Sequence, residues 1–150
     1  MSGFTLRKAT RSTCADVLAR IPDLLKEEGF GVLTRIDVKE TMRQKLGVDF
    51  RPYQILGACN PKLAHQVLSA DPEVGVMLPC NVVVYEGDDG HAIVLAIDPL
   101  QTVAAANPAV RPFAEEVRSR LARVLGKIEE EGRAGRAPPA STEPAEPSRR

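Results

Sequence analysis

Two apolar runs, CNVVVYE at residues 80–86 and HAIVLAID at residues 91–98, constrain the fold of this chain more than any other feature. The stretch between them contains Gly-Asp-Asp-Gly, and strand patterns flanking such a turn sequence predict a β-hairpin. Both runs are apolar on both faces, so each face needs cover. We therefore expect the hairpin at the centre of a sheet, or with one face under helices and the other against a second subunit.

The segments before the hairpin alternate between strand and helix patterns. Period-two alternation predicts strands within residues 3–10, 30–38 and 53–59, and helical spacing predicts a helix after each. Pro22 should kink the first helix or split it, because proline removes a helical hydrogen bond. In the second strand, alternation predicts one face formed by Phe30, Val32, Thr34, Ile36 and Val38.

The segments after the hairpin predict two more helices and a tail. Asp98-Pro99 and Asn107-Pro108 combine a capping residue with proline, which predicts a short helix and then a long one. The order β-α-β-α-β-α-β-β-α-α indicates an α+β fold, with a single mixed or antiparallel sheet of about five strands and helices packed on one face. Residues 1–125 are predicted to form this domain, and residues 126–150 a helix end followed by a disordered tail.

Charge and cysteine content argue against several classes of partner. Twenty basic and twenty acidic residues cancel, so no net charge attracts nucleic acid or anionic membranes. The chain has no apolar run near the roughly 20 residues needed to span a bilayer, and no signal sequence, so we expect a cytoplasmic location. Three cysteines, an odd number, indicate reduced thiols in that compartment.

Familiar catalytic and metal-binding motifs are missing from the sequence. It contains no Walker loop, Cys-x-x-Cys, His-Glu-x-x-His or Gly-x-Ser-x-Gly, so the enzyme classes that depend on these motifs are not indicated. His65 and His91 lack the paired spacing of helical metal sites and are predicted to lie at the surface.

The dipeptide Cys-Asn occurs twice, at boundaries between predicted elements. Cys59 directly precedes a helix predicted to begin with Asn60 as its cap, where the partial positive charge of the N-terminus favours anionic groups. Cys80 begins the first strand of the hairpin and is followed by Asn81. If the strands carrying the two cysteines are antiparallel neighbours, both sulfurs lie at one end of the sheet. Alternatively, both cysteines only pack in the core.

Four segments, EEGFGVLTRIDV, ILGACNP, LPCNVVVYE and AIDP, occur in this order between Phe4 and Leu125. Together they resemble the family known as domain of unknown function 302. The resemblance implies a small, homodimeric α+β domain of a TATA-binding-protein-like type, and no established activity. Pro22 and the long C-terminal tail depart from the family pattern. The positions that correspond to the family's cysteine motifs are Cys59, Asn60, Pro61, Pro79, Cys80 and Asn81.

The leading functional hypothesis is a homodimeric binding module with a pocket at Cys59, Asn60, Cys80 and Asn81. Such a pocket would take a small anion, a soft metal or a thiol-reactive ligand. One alternative is a thiol redox enzyme or sensor, with Cys59 as nucleophile and Cys80 as resolving thiol. Another is a purely structural homodimeric interaction domain. The sequence specifies no cofactor and leaves open whether a reaction is catalysed.

Overall fold

A computed structural model describes residues 3–102 and 106–135, with side chains as far as Ile128. The strands are β1 (Thr5–Ala9), β2 (Gly31–Asp37), β3 (Tyr53–Cys59), β4 (Cys80–Glu86) and β5 (Ala92–Ile97). The α-helices are α1 (Cys14–Glu27), α2 (Val38–Leu46), α3 (Pro61–Ala70) and α4 (Arg111–Gly135). Short 3-10 helices occupy Pro72–Met77 and Pro99–Gln101.

The five strands form one antiparallel sheet in the spatial order β1-β5-β4-β3-β2. The predicted α+β class, the single sheet of five strands and the sequence order of elements are confirmed, the short helix after β5 being a 3-10 turn. The β4–β5 hairpin lies at the centre of the sheet, as its two apolar faces require.

Helices α1 and α4 pack against one face of this sheet and form the core with it. Every second residue of the central strands points into this core, because side chains alternate between the two faces of a strand. The buried strand residues are Leu56, Ala58, Val82, Val84, Ala92, Val94 and Ala96. The helices bury Val17, Ile21, Leu24, Leu25, Leu121, Val124 and Ile128.

Side-chain caps fix where the helices begin. The Thr13 hydroxyl accepts a hydrogen bond from the Asp16 N–H at 3.1 Å, and Asn60 Oδ1 accepts one from the Leu63 N–H at 3.1 Å. The predicted Asn60 cap is confirmed, and each of the two caps satisfies a backbone donor that the helix cannot. Helix α1 runs unbroken through Pro22, within a stretch whose apolar side is buried against the sheet.

Strand β2 does not keep the predicted alternation. Val32 pairs with Ala58 and packs against the core, whereas Thr34 pairs with Gly57, so the register shifts between them. The extra residue, Leu33, is 66% exposed. A bulge of this kind places two residues opposite one and reverses which face the following side chains take. The prediction that residues 30–38 keep a single alternating face is therefore wrong.

The long helix begins at Arg111 rather than directly after Pro108. Asn107 caps a turn instead: its Oδ1 accepts a hydrogen bond from the Ala109 N–H at 2.9 Å, and its Nδ2 donates to Asp71 at 2.9 Å. This turn joins the start of α4 to the end of α3.

Helix α4 continues beyond the predicted domain boundary at residues 125/126. Ile128 is 1% exposed and belongs to the core, and the helix extends to Gly135. The tail predicted to be disordered falls, from residue 136 onward, outside the described residues. Within the described residues, no helix is both long and apolar enough to cross a membrane.

A buried carboxylate joins the end of α1 to α4. Glu28, only 8% exposed, accepts hydrogen bonds from Arg123 Nε at 3.1 Å and Lys127 Nζ at 3.5 Å. The backbone carbonyl of Glu28 accepts another from Arg120 at 2.9 Å. The hydrogen bond from Arg123 and the positive charges of Arg123 and Lys127 lower the pKa of Glu28, although burial opposes this.

Replacement of Glu28 by glutamine should lower the free energy of unfolding by about 1–2 kcal/mol at neutral pH, since charge-assisted hydrogen bonds are lost. Because the pKa of Glu28 is below its ordinary value of 4.5 in the folded state, its stabilisation is complete above that pH. It disappears as the pH falls through the folded-state pKa. Urea unfolding from pH 7 to pH 3 should show the two proteins converging in acid.

The matched control is Glu115→Gln, because Glu115 forms an exposed ion pair with Arg111. We expect it to change stability by less than about 0.5 kcal/mol. A difference in the free energy of unfolding between wild type and Glu28→Gln that stays constant down to pH 3 would contradict the lowered pKa of Glu28.

Gly57 should not tolerate a side chain, because a Cβ there would overlap Thr34 Oγ1 and lie 2.8 Å from Pro79 Cγ. We expect Gly57→Ala to destabilise the protein by about 1–3 kcal/mol, as overpacking does. Gly31→Ala is the control on the neighbouring strand, where a Cβ meets nothing within 4 Å. Thermal unfolding of both variants measures this destabilisation. Equal melting temperatures would show that Thr34 and Pro79 move away from the added Cβ without cost.

Candidate functional site

The two cysteines singled out by the sequence lie at the same end of the sheet. Cys59 ends β3 and Cys80 begins β4, and these strands are antiparallel neighbours in which Cys80 pairs with Ala58. Both cysteines are half-buried and free. The fold thus satisfies the predicted condition, antiparallel neighbouring strands, under which both cysteines lie at one end of the sheet.

A pocket of about 80 Å³ opens at this end of the sheet. The ends of β3 and β5, helix α3, both 3-10 segments and the first turns of α4 surround it. Its wall is almost entirely hydrocarbon and includes Phe30, Leu63, Val67, Met77, Phe113 and Val117. Cys59, Asn60 and Cys80 also line it.

Two of the polar residues in the wall have backbone partners. Asn60 Oδ1 accepts from the Leu63 N–H, and its Nδ2 lies 3.5 Å from the Glu28 carbonyl oxygen. Thr102 donates to the Pro99 carbonyl at 2.8 Å. These groups therefore shape the pocket, and the sulfur-containing residues Cys59, Cys80 and Met77 are the chemically distinctive members of its wall.

Burial raises the pKa of Cys80 to about 11, and the nearby Cys59 contributes in the same direction. Cys80 is accordingly a neutral thiol at pH 7, because a desolvated sulfur ionises less readily. The third cysteine is different: Cys14 packs against the core at the start of α1 and is not part of the pocket wall. Burial, followed by the charge of Glu86, raises its pKa to about 11.

Asn81 does not join the other three predicted site residues. It is exposed and pairs with Gly57, and it is not part of the pocket wall. Successive residues of a strand point to opposite faces, so Cys80 and Asn81 cannot both face the pocket. The structure therefore brings Cys59, Asn60 and Cys80 together and leaves Asn81 apart.

Sequence reasoning missed the contribution of α4 to this pocket. Four apolar residues line the pocket from this part of the chain: Val110, Phe113, Ala114 and Val117. Their spacing of i, i+3, i+4 and i+7 is the signature of one helical face. That pattern was available in the sequence as a helix face, but only the tertiary arrangement directs it toward the cysteines.

The described residues contain no group of three or more His, Cys, Asp and Glu side chains that could hold a metal ion. His65 is exposed on α3, and His91 is exposed beside the hairpin turn, with its Nδ1 3.3 Å from Asp89. The predicted surface positions of both histidines are confirmed. A soft metal in the pocket would have Cys59, Cys80 and Met77 as candidate sulfur ligands from this chain.

A second apolar surface lies on the side of the sheet opposite α1 and α4. Val83 is paired with Ile55 on one side and Leu95 on the other, and Tyr85 is paired with Tyr53 and Ile93. We call these six residues the outer face. All are half-buried, none is charged, and the two tyrosine rings stack with centroids 5.4 Å apart.

Comparison with known proteins agrees with this architecture. The family model described as Domain of unknown function DUF302 matches residues 6–128. The crystal structure of an uncharacterized conserved protein DUF302 from Bacillus stearothermophilus is similar, with a TM-score of 0.79 and 33% sequence identity. The similarity covers 85% of this chain and 100% of that chain. No curated protein matches. The chain belongs to the DUF302 family.

Proposed function

We propose that the protein binds a small, uncharged and mainly apolar molecule in the pocket beside Cys59 and Cys80. The observation that carries this proposal is the composition of the wall, which is almost entirely hydrocarbon with two thiols. An anion entering such a wall would lose its hydration without gaining a cation or strong donors. Of the ligands that the sequence leaves open, the small anion is therefore the least supported.

The size of the pocket limits the ligand. A cavity of about 150 Å³ holds benzene, so this pocket of about 80 Å³ encloses about three or four non-hydrogen atoms. The end of a short aliphatic chain fits this limit, with the rest of the chain at the mouth of the pocket. Thiols suit such a ligand, because sulfur is polarizable and only a weak hydrogen-bond partner.

We further propose that the chain acts as a homodimer through its outer face. Five strands about 4.8 Å apart and about 20 Å long present a flat area near 480 Å², and projecting side chains enlarge it. This is of the same order as the roughly 800 Å² that each partner buries in a standard interface. A two-fold contact brings a surface against its own copy, so the six uncharged residues of the outer face avoid like-charge repulsion. Arg7 of β1, which pairs with Leu95, lies beside them.

Nucleic acid is a less suitable partner for the outer face, because its six residues include no lysine or arginine to contact phosphates and the flanking Arg7, opposite Leu95, supplies a single positive charge. The proposed setting is the cytoplasm. Three free cysteines support it, because that compartment keeps thiols reduced.

The pocket proposal predicts that a neutral aliphatic molecule binds more tightly than a charged molecule of the same length. 1-Hexanol has about seven non-hydrogen atoms, and from the binding free energy expected per atom its dissociation constant should be on the order of 0.1–1 mM. Hexanoate and hexylammonium should bind at least about tenfold more weakly, since the wall does not replace their hydration. Titrations followed by ¹H–¹⁵N NMR should shift amides around Cys59, Leu63 and Val117.

Ala64→Phe tests the location, because Ala64 lines the pocket from α3 and is only half-buried. Its phenyl group should fill the pocket and reduce hexanol affinity at least about tenfold, with little effect on folding. Ala70→Phe places the same ring at an exposed position of the same helix and should leave affinity unchanged. Equal affinity of the two variants, or preferential binding of hexanoate or inorganic phosphate, would refute the proposal.

The dimer proposal predicts that a charge on the outer face separates the subunits. Wild-type protein should sediment as a dimer at micromolar concentration, and Val83→Glu as a folded monomer, because burying two carboxylates is costly. Val76→Glu is the control, since Val76 lies away from the sheet and is 91% exposed. A monomeric wild type, or dissociation by both substitutions, would exclude this face as the dimer interface.

A further inference from the structure

We infer that Cys59 and Cys80 form a redox pair that closes to an intramolecular disulfide in the wall of the pocket. The inference uses the same pocket as the proposed function but does not require a ligand in it. It gives the pocket two chemical states, with two thiols under reducing conditions and one disulfide under oxidising conditions.

The strand register brings the two backbones within disulfide range. Cys80 lies directly opposite Ala58, and paired Cα atoms of antiparallel strands are about 4.5–5.5 Å apart. Cys59 is one residue, or about 3.4 Å, farther along β3. The diagonal between the Cα atoms of Cys59 and Cys80 is therefore about 6 Å, inside the 4.4–6.8 Å range of native disulfides.

A disulfide also requires the two side chains to reach a common space. Strict alternation would direct Cys59 to the opposite face from Cys80, but Cys59 is the last residue of β3, where the chain turns into α3. Both cysteines consequently line one pocket. The charge of Cys59 contributes to the raised pKa of Cys80, which also places the two sulfurs within electrostatic reach.

The two thiols have different environments, which suits different roles. Cys59 precedes the Asn60 cap of α3, a helix of ten residues, and does not pack against the core cluster. Cys80 packs against the core and is a neutral thiol at pH 7. Cys59 is thus the residue that meets an external disulfide, and Cys80 the residue that resolves the intermediate.

The oxidant is a low-molecular-weight disulfide such as oxidised glutathione. The Cys59 thiolate attacks one of its sulfurs, the S–S bond breaks, and one small thiolate leaves and takes up the proton from Cys59. Cys80 then loses its proton and attacks the Cys59 sulfur, which releases the second small thiol. Two protein thiols are oxidised to one disulfide, and the small disulfide is reduced to two thiols.

The test is to equilibrate the reduced full-length chain with glutathione mixtures from fully reduced to fully oxidised, and then to block free thiols with N-ethylmaleimide. Intact-mass and peptide analysis should show a Cys59–Cys80 link, with two hydrogens lost from the chain and, when alkylation is carried out in denaturant, a single N-ethylmaleimide on Cys14. Cys14→Ala should give the same link. Cys80→Ala should instead accumulate the glutathione adduct on Cys59.

Three results would overturn the inference: a wild-type chain that stays reduced in pure oxidised glutathione, a stable glutathione adduct in place of the link, or a link that includes Cys14. Circular dichroism of each variant confirms folding. The outcome is independent of hexanol binding, because the link is measured without ligand and hexanol is titrated into the reduced protein. Failure of one proposal therefore leaves the other standing.

Discussion

The central hairpin, apolar on both faces, is the constraint on which the rest of the structure depends. One set of alternating residues, which includes Val82, Val84 and Val94, is buried by α1 and α4 and makes the core. The other set, represented by Val83 and Leu95, forms an uncharged outer face. The pairing of β4 with β3 also fixes where Cys80 lies relative to Cys59. Core, proposed interface and proposed site therefore all follow from the placement of one hairpin.

The pocket exists because several elements end at the same place. Strand β3 stops at Cys59, α3 begins after the Asn60 cap, and the chain returns through a 3-10 segment to Cys80. Helix α4 covers the resulting gap with apolar side chains such as Phe113 and Val117. Element ends leave space that regular packing fills elsewhere, and here the chain lines that space with hydrocarbon and two thiols.

Local rules predicted the features that depend on few neighbouring residues. Asn60 caps α3 as expected, because a cap needs only a side chain and the backbone three residues later. Features set by distant contacts were not predictable. The bulge at Leu33 reverses the faces of β2, and the turn at Asn107 delays α4 to Arg111 through a contact with Asp71.

The same distinction applies to the candidate site. Proximity of Cys59 and Cys80 was conditional on a strand pairing that the sequence did not specify, whereas the separation of Asn81 follows from the alternation of strand residues. The central claim, an apolar pocket open to small molecules, is tested most directly by a crystal structure determined under xenon pressure, because xenon enters dry apolar cavities. The account predicts a xenon atom between Cys59, Cys80 and Phe113. Ordered water in that space, or a collapsed pocket without xenon, would contradict it.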